Sequence, residues 1–323
     1  MKAIIQDVYG PADVLELRDV EKPVPGDDDV LIRVRAAGVD QGVWHLMSGL
    51  PYLTRVIGYG LKKPKTGIRG RAVAGQVEAV GRNVVGFRPG DAVFGTCDGS
   101  FAEYVCAKEG RLALKPANLS FEQAAAVPIS AVTALQGLRD SGQVQPGQEV
   151  LVIGAAGGVG AYAVQLAKAF GANVTGVCST AKVDLVLSIG ADHVIDYTRE
   201  DFAEAGKRYD LILDTAGNRP LSDLRRALAP KGTLAIVGGE GGGRWTGGFE
   251  RSLGAALLSL FVGQKLKGVM SVESPDDLRF LTPLLEAGTV TPVIDKSYAL
   301  MDAPAAIQYV HDGRARGKVV VTL

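Results

Sequence analysis

A glycine-rich turn directly after a short apolar run constrains the fold more than any other feature of this chain. The run is VLVI (residues 150–153), and the turn reads GAAGGVG (residues 154–160). A helix-like segment follows over residues 159–170 and ends at Gly171. A strand, a glycine turn and a helix in this order are typical of the first βαβ unit of a parallel sheet.

Glycines in such a turn let main-chain N–H groups approach a pyrophosphate, and the helix N-terminus adds a partial positive charge. The spacing here is G-x-x-G-G-x-G rather than the standard G-x-G-x-x-G. The prediction of a dinucleotide site therefore depends on the strand before the turn and the helix after it. In that site Gly157, Gly158 and Gly160 would surround the pyrophosphate. The alternative is a glycine-rich loop before an ordinary helix.

Strand-like and helix-like stretches alternate from residue 150 to residue 237. Short continuous apolar runs such as VLVI suit strands that are covered on both faces. Strands that alternate with helices of about ten residues predict βαβ units and a parallel sheet. The predicted strands are residues 150–153, 174–177, 193–195, 211–213 and 233–237, and the predicted helices are residues 159–170, 181–189 and 221–228.

The first ~120 residues are predicted to be rich in strands. Val30, Ile32 and Val34 fall at every second position, which is the pattern of a half-buried strand. Turn signals such as Arg88-Pro89-Gly90-Asp91 separate further short pieces, so this half is interpreted as an antiparallel barrel or sandwich. The further pieces are residues 73–80, 92–94 and 101–105.

Three more helices and a last strand are predicted outside these regions. Residues 121–138 are helix-like, with Pro128 expected to kink or restart the helix. Ser274-Pro275 is typical of a helix start, and residues 302–310 form another helix. Residues 318–322 form a strand that can return to the sheet of the first domain.

Composition and charge exclude several classes of protein. Lys and Arg number 35, as do Asp and Glu, which argues against a basic surface for nucleic acid or anionic lipid. Three cysteines without a CxxC motif favour a reducing compartment. No apolar run approaches the ~20 residues that span a bilayer, and Asp7 falls where a signal peptide needs an apolar core. We therefore expect a soluble, cytoplasmic protein with no membrane or nucleic-acid partner.

The residues that bind metals in proteins are too few and too scattered here for a metal site. Cys97 and Cys106 are nine positions apart without a third partner, and the histidines are His45, His193 and His311. A catalytic zinc needs three protein ligands and a structural zinc needs four. We predict no metal. The chain also lacks the G-x-S-x-G motif of hydrolases and the Gly-Lys-Ser/Thr of a P-loop.

The residues about 20 positions after the glycines indicate which dinucleotide is bound. An NAD site places an acidic residue there for the ribose 2′-OH. Residues 173–183 contain no carboxylate, and the strand runs into Ser179, Thr180 and Lys182. Two hydroxyls and one cation suit a 2′-phosphate, which predicts NADPH (NADP⁺) as the cofactor. The alternative is that Ser179 caps a helix and Lys182 is solvated.

Seven motifs spread over the chain point to one family. They are GFRPGDAVFG (86–95), FAEYV (101–105), FEQAAAVPISAVTALQGL (121–138), GAAGGVGAYAVQLAK (154–168), GADHVIDY (190–197), LILDTAGN (211–218) and GRARGKVV (313–320). The chain resembles the medium-chain dehydrogenase/reductase superfamily, in its zinc-free quinone oxidoreductase branch. It is similar to reticulon-interacting reductases and to bacterial NAD(P)-dependent alcohol dehydrogenase-like proteins.

The resemblance implies an α/β protein with a GroES-like β-barrel domain and a Rossmann domain with a doubly wound parallel sheet. The barrel would be residues 1–125, completed by 290–323, and the Rossmann domain would be residues 126–289. A homodimer is also implied. The residues implied to contact NADPH are Ala156, Gly158 and Val159 at the pyrophosphate, Ser179, Lys182 and Tyr197 at the adenosine phosphate, Thr215 at the ribose, Val269 and Ser271 at the nicotinamide, and Arg314, Ala315, Arg316 and Lys318 from the tail.

The chain departs from the zinc-dependent members of this family at two ligand positions. Gln41 stands where those members carry Cys, and Gly70-Arg71-Ala72 stands where they carry Gly-His-Glu. Both departures remove zinc ligands. Many zinc-free relatives carry Asn-Pro near positions 40 and 41, where this chain has Asp40 and Gln41, and they carry Asp in place of Ala72. The departures of this chain from the zinc-free relatives therefore concern the substrate pocket.

The activity expected from the resemblance is hydride transfer from NADPH to a quinone or an α,β-unsaturated carbonyl. The anion that develops is delocalised, so a hydrogen-bond donor or water can replace a metal. Candidate donors are Tyr52, His45 and Asp40. Alternatively, Tyr52 and Trp44 are only part of the wall of an apolar pocket.

Three other functions remain open on the sequence. A zinc-independent alcohol or aldehyde reductase would need stronger polarisation of a saturated carbonyl than the visible residues offer. A non-catalytic sensor would bind NADPH without consuming it. A methyl-donor-binding fold also uses a glycine turn after its first strand, but Ser179, Lys182 and the strand-rich first half argue against it.

Overall fold

The structure is a computed structural model that describes residues 1–239 and 242–323. The chain divides into two units. Unit 1 consists of Met1–Val132, Glu273–Gly288 and Pro292–Leu323, and unit 2 consists of Thr133–Val272 and Thr289–Thr291.

Fifteen strands and ten α-helices lie within the described residues. The strands are β1 (Lys2–Ile5), β2 (Glu16–Asp19), β3 (Asp29–Val39), β4 (Ala72–Val80), β5 (Ala92–Thr96), β6 (Tyr104–Lys108), β7 (Leu112–Leu114), β8 (Glu149–Ile153), β9 (Asn173–Cys178), β10 (His193–Asp196), β11 (Tyr209–Asp214), β12 (Leu228–Ile236), β13 (Lys265–Gly268), β14 (Ile294–Ala299) and β15 (Lys318–Thr322). The helices are α1 (Gln41–Ser48), α2 (Tyr52–Thr54), α3 (Phe121–Ala125), α4 (Ser130–Gln136), α5 (Gly158–Ala169), α6 (Val183–Ser188), α7 (Leu221–Ala227), α8 (Phe249–Ser259), α9 (Pro275–Glu286) and α10 (Ala303–His311).

Unit 2 contains a parallel six-stranded sheet in the order β10-β9-β8-β11-β12-β13. The strand order therefore reverses between β8 and β11, as in a doubly wound sheet. Val150, Leu151 and Val152 of β8 are fully buried, as expected for a central strand that is covered on both faces. The predicted parallel sheet is confirmed. The sixth strand, β13, was not predicted, because its sequence KLKG lacks a continuous apolar run.

Unit 1 contains a mainly antiparallel sheet in the order β14-β15-β3-β4-β5-β7, in which β6 also pairs with β3. The long strand β3 shifts register against β4 near Ile32 and near Ala36. Such bulges bend a sheet. Apolar side chains of unit 1 pack against this sheet in two clusters. The predicted return of the last strand is confirmed, because β15 pairs antiparallel with β3 and places Val319 opposite Val39.

The break expected at Pro128 is confirmed, because the helix predicted over residues 121–138 is divided into α3 and α4 with Pro128 between them. Other local predictions differ from the structure. The strand expected at residue 101 begins only at Tyr104, because Phe101 is fully buried and its N–H donates to the Arg69 carbonyl at 2.9 Å. Helices α1 and α8 were not predicted. No helix of the described residues is long and apolar enough to cross a membrane.

The segment that contains α9 belongs to unit 1, whereas the sequence-based division placed it in the Rossmann domain. The Asn118 side chain donates to the carbonyl of Leu285, at the end of α9, at 2.9 Å. The guanidinium of Arg71 forms an ion pair with the carboxylate of Glu273, just before α9. These contacts join the α9 segment to residues just before β4 and between β7 and α3 of unit 1.

Candidate functional site

The turn between β8 and α5 brings main-chain atoms closer together than side chains would allow. Gly154 has a φ of +80°, which favours glycine. The N–H groups of Gly154 and Ala155 donate to the Val177 carbonyl at 3.1 and 3.0 Å. A Cβ atom on Gly160 would lie 2.1 Å from the carbonyl oxygen of Gly154. The glycine at position 160 is therefore required for the first turn of α5 to pack against the loop.

Helix α5 begins with N–H groups that no capping side chain satisfies. Its N-cap residue is Gly157, which forms no side-chain cap. The first N–H groups of an α-helix have no partner within the helix, and together with the helix dipole they favour an anion. The turn and the first residues of α5 thus fit the pyrophosphate of a dinucleotide.

Thr215 follows β11 and lies beside this turn. Its hydroxyl donates to the Ile153 carbonyl at 2.7 Å, and a Cβ atom on Gly154 would approach the Thr215 Oγ1 to 2.6 Å. Because β8 and β11 are adjacent where the strand order reverses, the turn and Thr215 occupy the position at which ligands bind in doubly wound sheets.

A second group of predicted residues follows β9. Ser179 precedes a single 3₁₀ turn, Thr180–Lys182, and accepts the N–H of Lys182 at its carbonyl at 2.9 Å. Tyr197 follows β10, its N–H donates to the Cys178 carbonyl at 3.1 Å, and its side chain is exposed. The parallel register of β9 and β10 thus brings Tyr197 close to Ser179.

Asp196 lies beside the predicted residues Ser179 and Thr180, and it was not singled out in the sequence analysis. It ends β10 opposite Cys178, and its carboxylate accepts the Thr180 hydroxyl at 2.5 Å. The acidic residue of an NAD site is expected at the end of the second strand, β9. Asp196 comes from the third strand and is visible in the sequence as part of the motif GADHVIDY.

A buried ion pair at the end of β11 was also missed. The fully buried Asp214 carboxylate lies 2.5 Å from an Arg251 Nη atom of α8. The other oxygen of Asp214 accepts the N–H groups of Ala216 and Gly217 at 3.2 and 3.0 Å. These bonds fix the main chain on both sides of Thr215. The unpredicted helix α8 supplies the arginine, so sequence patterns gave no signal for the pair.

The residues predicted near the nicotinamide follow β13. The Val269 N–H donates to the Ile236 carbonyl at 2.8 Å, which places Val269 at the carboxyl end of β12, and Ser271 is exposed two positions later. All the predicted coenzyme residues of unit 2 therefore lie at the carboxyl edge of one sheet. That edge is where parallel α/β sheets bind their ligands.

The three candidate proton donors lie in unit 1. Asp40 is the N-cap of α1 and accepts the Val43 N–H at 3.3 Å through Oδ1. His45 Nδ1 lies 2.8 Å from the Leu50 carbonyl, which can only accept, so Nδ1 carries the proton and the Nε2 of a neutral ring carries the lone pair. Tyr52 begins α2, and the Arg55 guanidinium lies 4.9 Å from the centre of its ring.

The tail residues also lie in unit 1. Arg314 is exposed and pairs with Asp312 at 3.2 Å. The Arg316 N–H donates to Asp295 at 3.0 Å, and Ala315 packs against an apolar cluster. Lys318 is buried, and burial lowers the pKa of its ammonium.

The Lys318 ammonium donates to the Val39 carbonyl at 3.0 Å and to the Ser130 hydroxyl at 2.9 Å. The structure therefore gives Lys318 a role within unit 1, where it joins three segments. The coenzyme contact expected for Lys318 stays a prediction.

Comparison with known proteins places this arrangement in a family. A model of the alcohol dehydrogenase GroES-like domain matches residues 26–117, and a model of the zinc-binding dehydrogenase matches residues 189–321. The chain is 35% identical to a 2-methylene-furan-3-one reductase of Solanum lycopersicum, over 99% of this chain and 79% of that protein. It is 33% identical to the quinone oxidoreductase of Homo sapiens, over 100% of this chain and 98% of that protein.

The structure of an Escherichia coli quinone oxidoreductase complexed with NADPH superimposes with a TM-score of 0.86 at 25% identity and covers 100% of both chains. The chain belongs to the medium-chain dehydrogenase/reductase superfamily. This medium-chain reductase is an oxidoreductase that uses a nicotinamide coenzyme. It combines a GroES-like domain with a Rossmann-like domain.

The positions of the family's zinc ligands carry other interactions in this reductase. The Gln41 side chain lies 3.1 Å from His311 Nδ1, and the His311 ring stacks on Trp44 with 3.5 Å between ring centres. Arg71 pairs with Glu273, which also lies 3.2 Å from the Nε atom of Arg111. Among the described residues, no group of three or more His, Cys, Asp or Glu side chains is arranged to hold a metal ion.

Proposed function

We propose that this reductase transfers a hydride from NADPH to a quinone or an α,β-unsaturated carbonyl without zinc. One observation carries the proposal. The strands β8 and β9 are neighbours, and the uncapped N-terminus of α5 follows the first while Ser179 and Lys182 follow the second. The first feature suits a pyrophosphate and the second suits a 2′-phosphate. The names of the relatives, a furanone reductase and quinone oxidoreductases, support the substrate class.

The residues of unit 2 would hold and orient the coenzyme. Ala156, Gly157, Gly158, Val159 and Gly160 would present main-chain N–H groups to the pyrophosphate. Ser179, Lys182 and Tyr197 would surround the adenosine ribose, Thr215 would lie beside the second ribose, and Val269 and Ser271 would lie by the nicotinamide. The coenzyme, when bound, would supply a hydride, which is one proton with two electrons, from nicotinamide C4.

A proton is the only other component that the reaction needs. Reduction of an enone leaves an enolate, and reduction of a quinone leaves a hydroquinone anion, each of which takes up one proton. Tyr52 is the preferred donor, because its hydroxyl carries a proton that it can donate. His45 Nδ1 already donates to the Leu50 carbonyl, and one Asp40 oxygen already accepts the Val43 N–H. His45 and Asp40 therefore rank behind Tyr52.

A panel of acceptors tests the proposed function. Purified protein would be mixed with NADPH and with 9,10-phenanthrenequinone, benzoquinones, enones or saturated aldehydes, and the loss of NADPH absorbance would be followed. We expect turnover with quinones or enones and little with aldehydes. Turnover with aldehydes alone would favour an alcohol or aldehyde reductase. Stabilisation by NADPH without any turnover would favour a non-catalytic sensor.

We also propose that the reductase is a homodimer and works in the cytoplasm. Helix α8 supports the dimer, since Leu253 and Leu257 on it are 63% and 57% exposed and Leu260, directly after it, is 76% exposed. An apolar surface of this kind is typical of an interface, and a second copy of the chain is the occupant we propose. The three cysteines support a reducing compartment, because all of them are free thiols.

A further inference from the structure

Asp196 places a negative charge where the proposed function needs to bind one. It is opposite Cys178 in the register of β9 and β10, and Ser179 and Thr180 follow Cys178 directly. Its side chain is only 12% exposed. The carboxylate therefore lies beside the segment that would receive the adenosine ribose and its 2′-phosphate.

Two threonines direct their hydroxyl groups at this carboxylate. Thr180 Oγ1 donates to Oδ2 at 2.5 Å, and Thr198 Oγ1 donates to Oδ1 at 2.7 Å. The Thr198 N–H also donates to Oδ1, at 3.0 Å. The two threonine oxygens are 3.0 Å apart. The carboxylate is thus held by three hydrogen bonds and by the exposed guanidinium of Arg199, whose Nε lies 3.4 Å from Oδ2.

These bonds determine what Thr180 can offer to a coenzyme. The hydrogen bond from Thr180, and then those from Thr198, hold the pKa of Asp196 below its ordinary value. The carboxylate is therefore ionised at neutral pH and can only accept. Each hydroxyl has one proton, and both protons point at Asp196. Thr180 consequently presents oxygen lone pairs, and no proton, to a neighbouring ligand.

We propose that Asp196 limits the preference for NADPH and keeps the site open to NADH. Its charge opposes a 2′-phosphate that Lys182 attracts, and it withdraws the Thr180 proton that a phosphate oxygen would need. The 2′-hydroxyl of NADH is neutral and can donate to the lone pairs of Thr180. The inference rests on the proposed function, because it assumes that this segment receives the adenosine ribose.

The variant Asp196→Asn tests this role, because its side chain keeps the shape and loses the charge. Its amide nitrogen can donate to Thr180, which frees the Thr180 proton for a phosphate. Calorimetry with NADP⁺ and NAD⁺ measures the two dissociation constants without any substrate. We expect the affinity for NADP⁺ relative to NAD⁺ to rise about tenfold, equivalent to about 1.4 kcal/mol. An unchanged or lower ratio in the folded variant would overturn the proposal.

Glu200→Gln is the matched control. Glu200 is exposed, and its N–H donates to the main-chain carbonyl of Asp196 at 3.0 Å. The substitution removes one negative charge nearby without touching either threonine. The ratio should stay within about twofold of the wild type, since an exposed charge is screened by solvent. A tenfold rise in this control would show that net charge alone sets the ratio, which would contradict the role of Asp196.

Thr180→Val supplies an independent test that does not depend on the Asp196 variant folding. In the wild-type background it should weaken NAD⁺ binding more than NADP⁺ binding, because the Thr180 oxygen accepts the ribose 2′-hydroxyl of NAD⁺ while its proton never reaches the phosphate. In the Asp196→Asn background it should abolish the gain in NADP⁺ affinity. A large loss of NADP⁺ affinity from Thr180→Val alone would show that Thr180 already donates to the phosphate, and the proposal would fall.

The two levels of the proposal fail in different ways. If the wild-type protein binds neither coenzyme, the proposed function falls and this inference falls with it. If Lys182→Glu weakens NADP⁺ binding while Asp196→Asn leaves the ratio unchanged, only the role of Asp196 is wrong. The fragments 2′,5′-ADP and AMP repeat the comparison without the nicotinamide half and show whether the effect arises at the adenosine ribose.

Discussion

Lys182 is the residue on which the choice between the two coenzymes depends most directly. Burial raises the pKa of the Cys178 thiol at the end of β9 to about 11, and the charge of Asp196 adds to this rise. The charge of Lys182 opposes the rise, so the lysine acts electrostatically on the end of β9. We predict that Lys182→Glu weakens NADP⁺ binding about 30-fold, or about 2 kcal/mol, because an attractive charge becomes a repulsive one. NAD⁺ binding should be nearly unchanged. Calorimetry with both coenzymes measures the two effects.

A second lysine provides the control for this prediction. Lys231 is exposed in unit 2 and belongs to β12, so Lys231→Glu changes the net charge by the same amount away from the end of β9. It should leave both dissociation constants as they are in the wild type. Equal losses of NADP⁺ and NAD⁺ binding in Lys182→Glu would contradict the assigned role of Lys182.

At the residue scale, the sequence predicted contacts that are local in the chain and missed those that depend on pairing between strands. The glycines at 154–160 and the pair Ser179 and Lys182 follow their strands directly, so their place at the sheet edge could be inferred. Asp196 reaches Thr180 only through the register of β9 and β10. A motif records that Asp196 is present, but the pairing of the strands determines which hydroxyl it contacts.

At the element scale, the turn from β8 into α5 depends on close main-chain packing. In Gly160→Ala the added methyl would meet the Gly154 carbonyl, a rigid main-chain atom. We predict a loss of about 3 kcal/mol in the free energy of unfolding and a loss of coenzyme binding, because the first turn of α5 must shift. Thermal unfolding with and without NADP⁺ measures both.

Gly254→Ala is the matched substitution in another helix. Gly254 lies inside α8, and a Cβ atom there would meet nothing within 4 Å. The variant should be more stable by about 1 kcal/mol, since alanine favours a helix over glycine, and should bind the coenzyme normally. If Gly160→Ala were as stable as the wild type, the close packing of the turn would not be needed.

The elements that could be predicted have either a clear pattern of apolar residues or a residue that marks where the element begins. β8 is a continuous apolar run, and α9 is preceded by its N-cap Ser274, whose side chain accepts the Asp277 N–H at 3.2 Å. By contrast, β13 is short and contains two lysines, and α8 exposes several leucines, so neither follows the usual pattern. Tertiary pairing with β12 makes β13 a strand, and local sequence does not.

At the scale of the whole molecule, the exposed face of α8 predicts how the chain associates. Leu257→Glu should convert the proposed dimer into a monomer, because it places a charge in an apolar interface. Light scattering coupled to gel filtration measures the mass. Leu187→Glu on α6, where the leucine is also exposed, should leave the mass unchanged. A wild-type protein that is already monomeric would show that the proposal is wrong.

The antiparallel pairing of β15 with β3 has a consequence for how the chain folds during synthesis. Nearly all of unit 2 comes from one continuous stretch, Thr133–Val272, whereas the sheet of unit 1 needs residues that emerge almost 300 positions after β3. Domains fold as units while the ribosome is still adding residues. The Rossmann-like unit can therefore fold first. The end of β3 that pairs with β15 stays unpaired until β15 has left the exit tunnel of the ribosome.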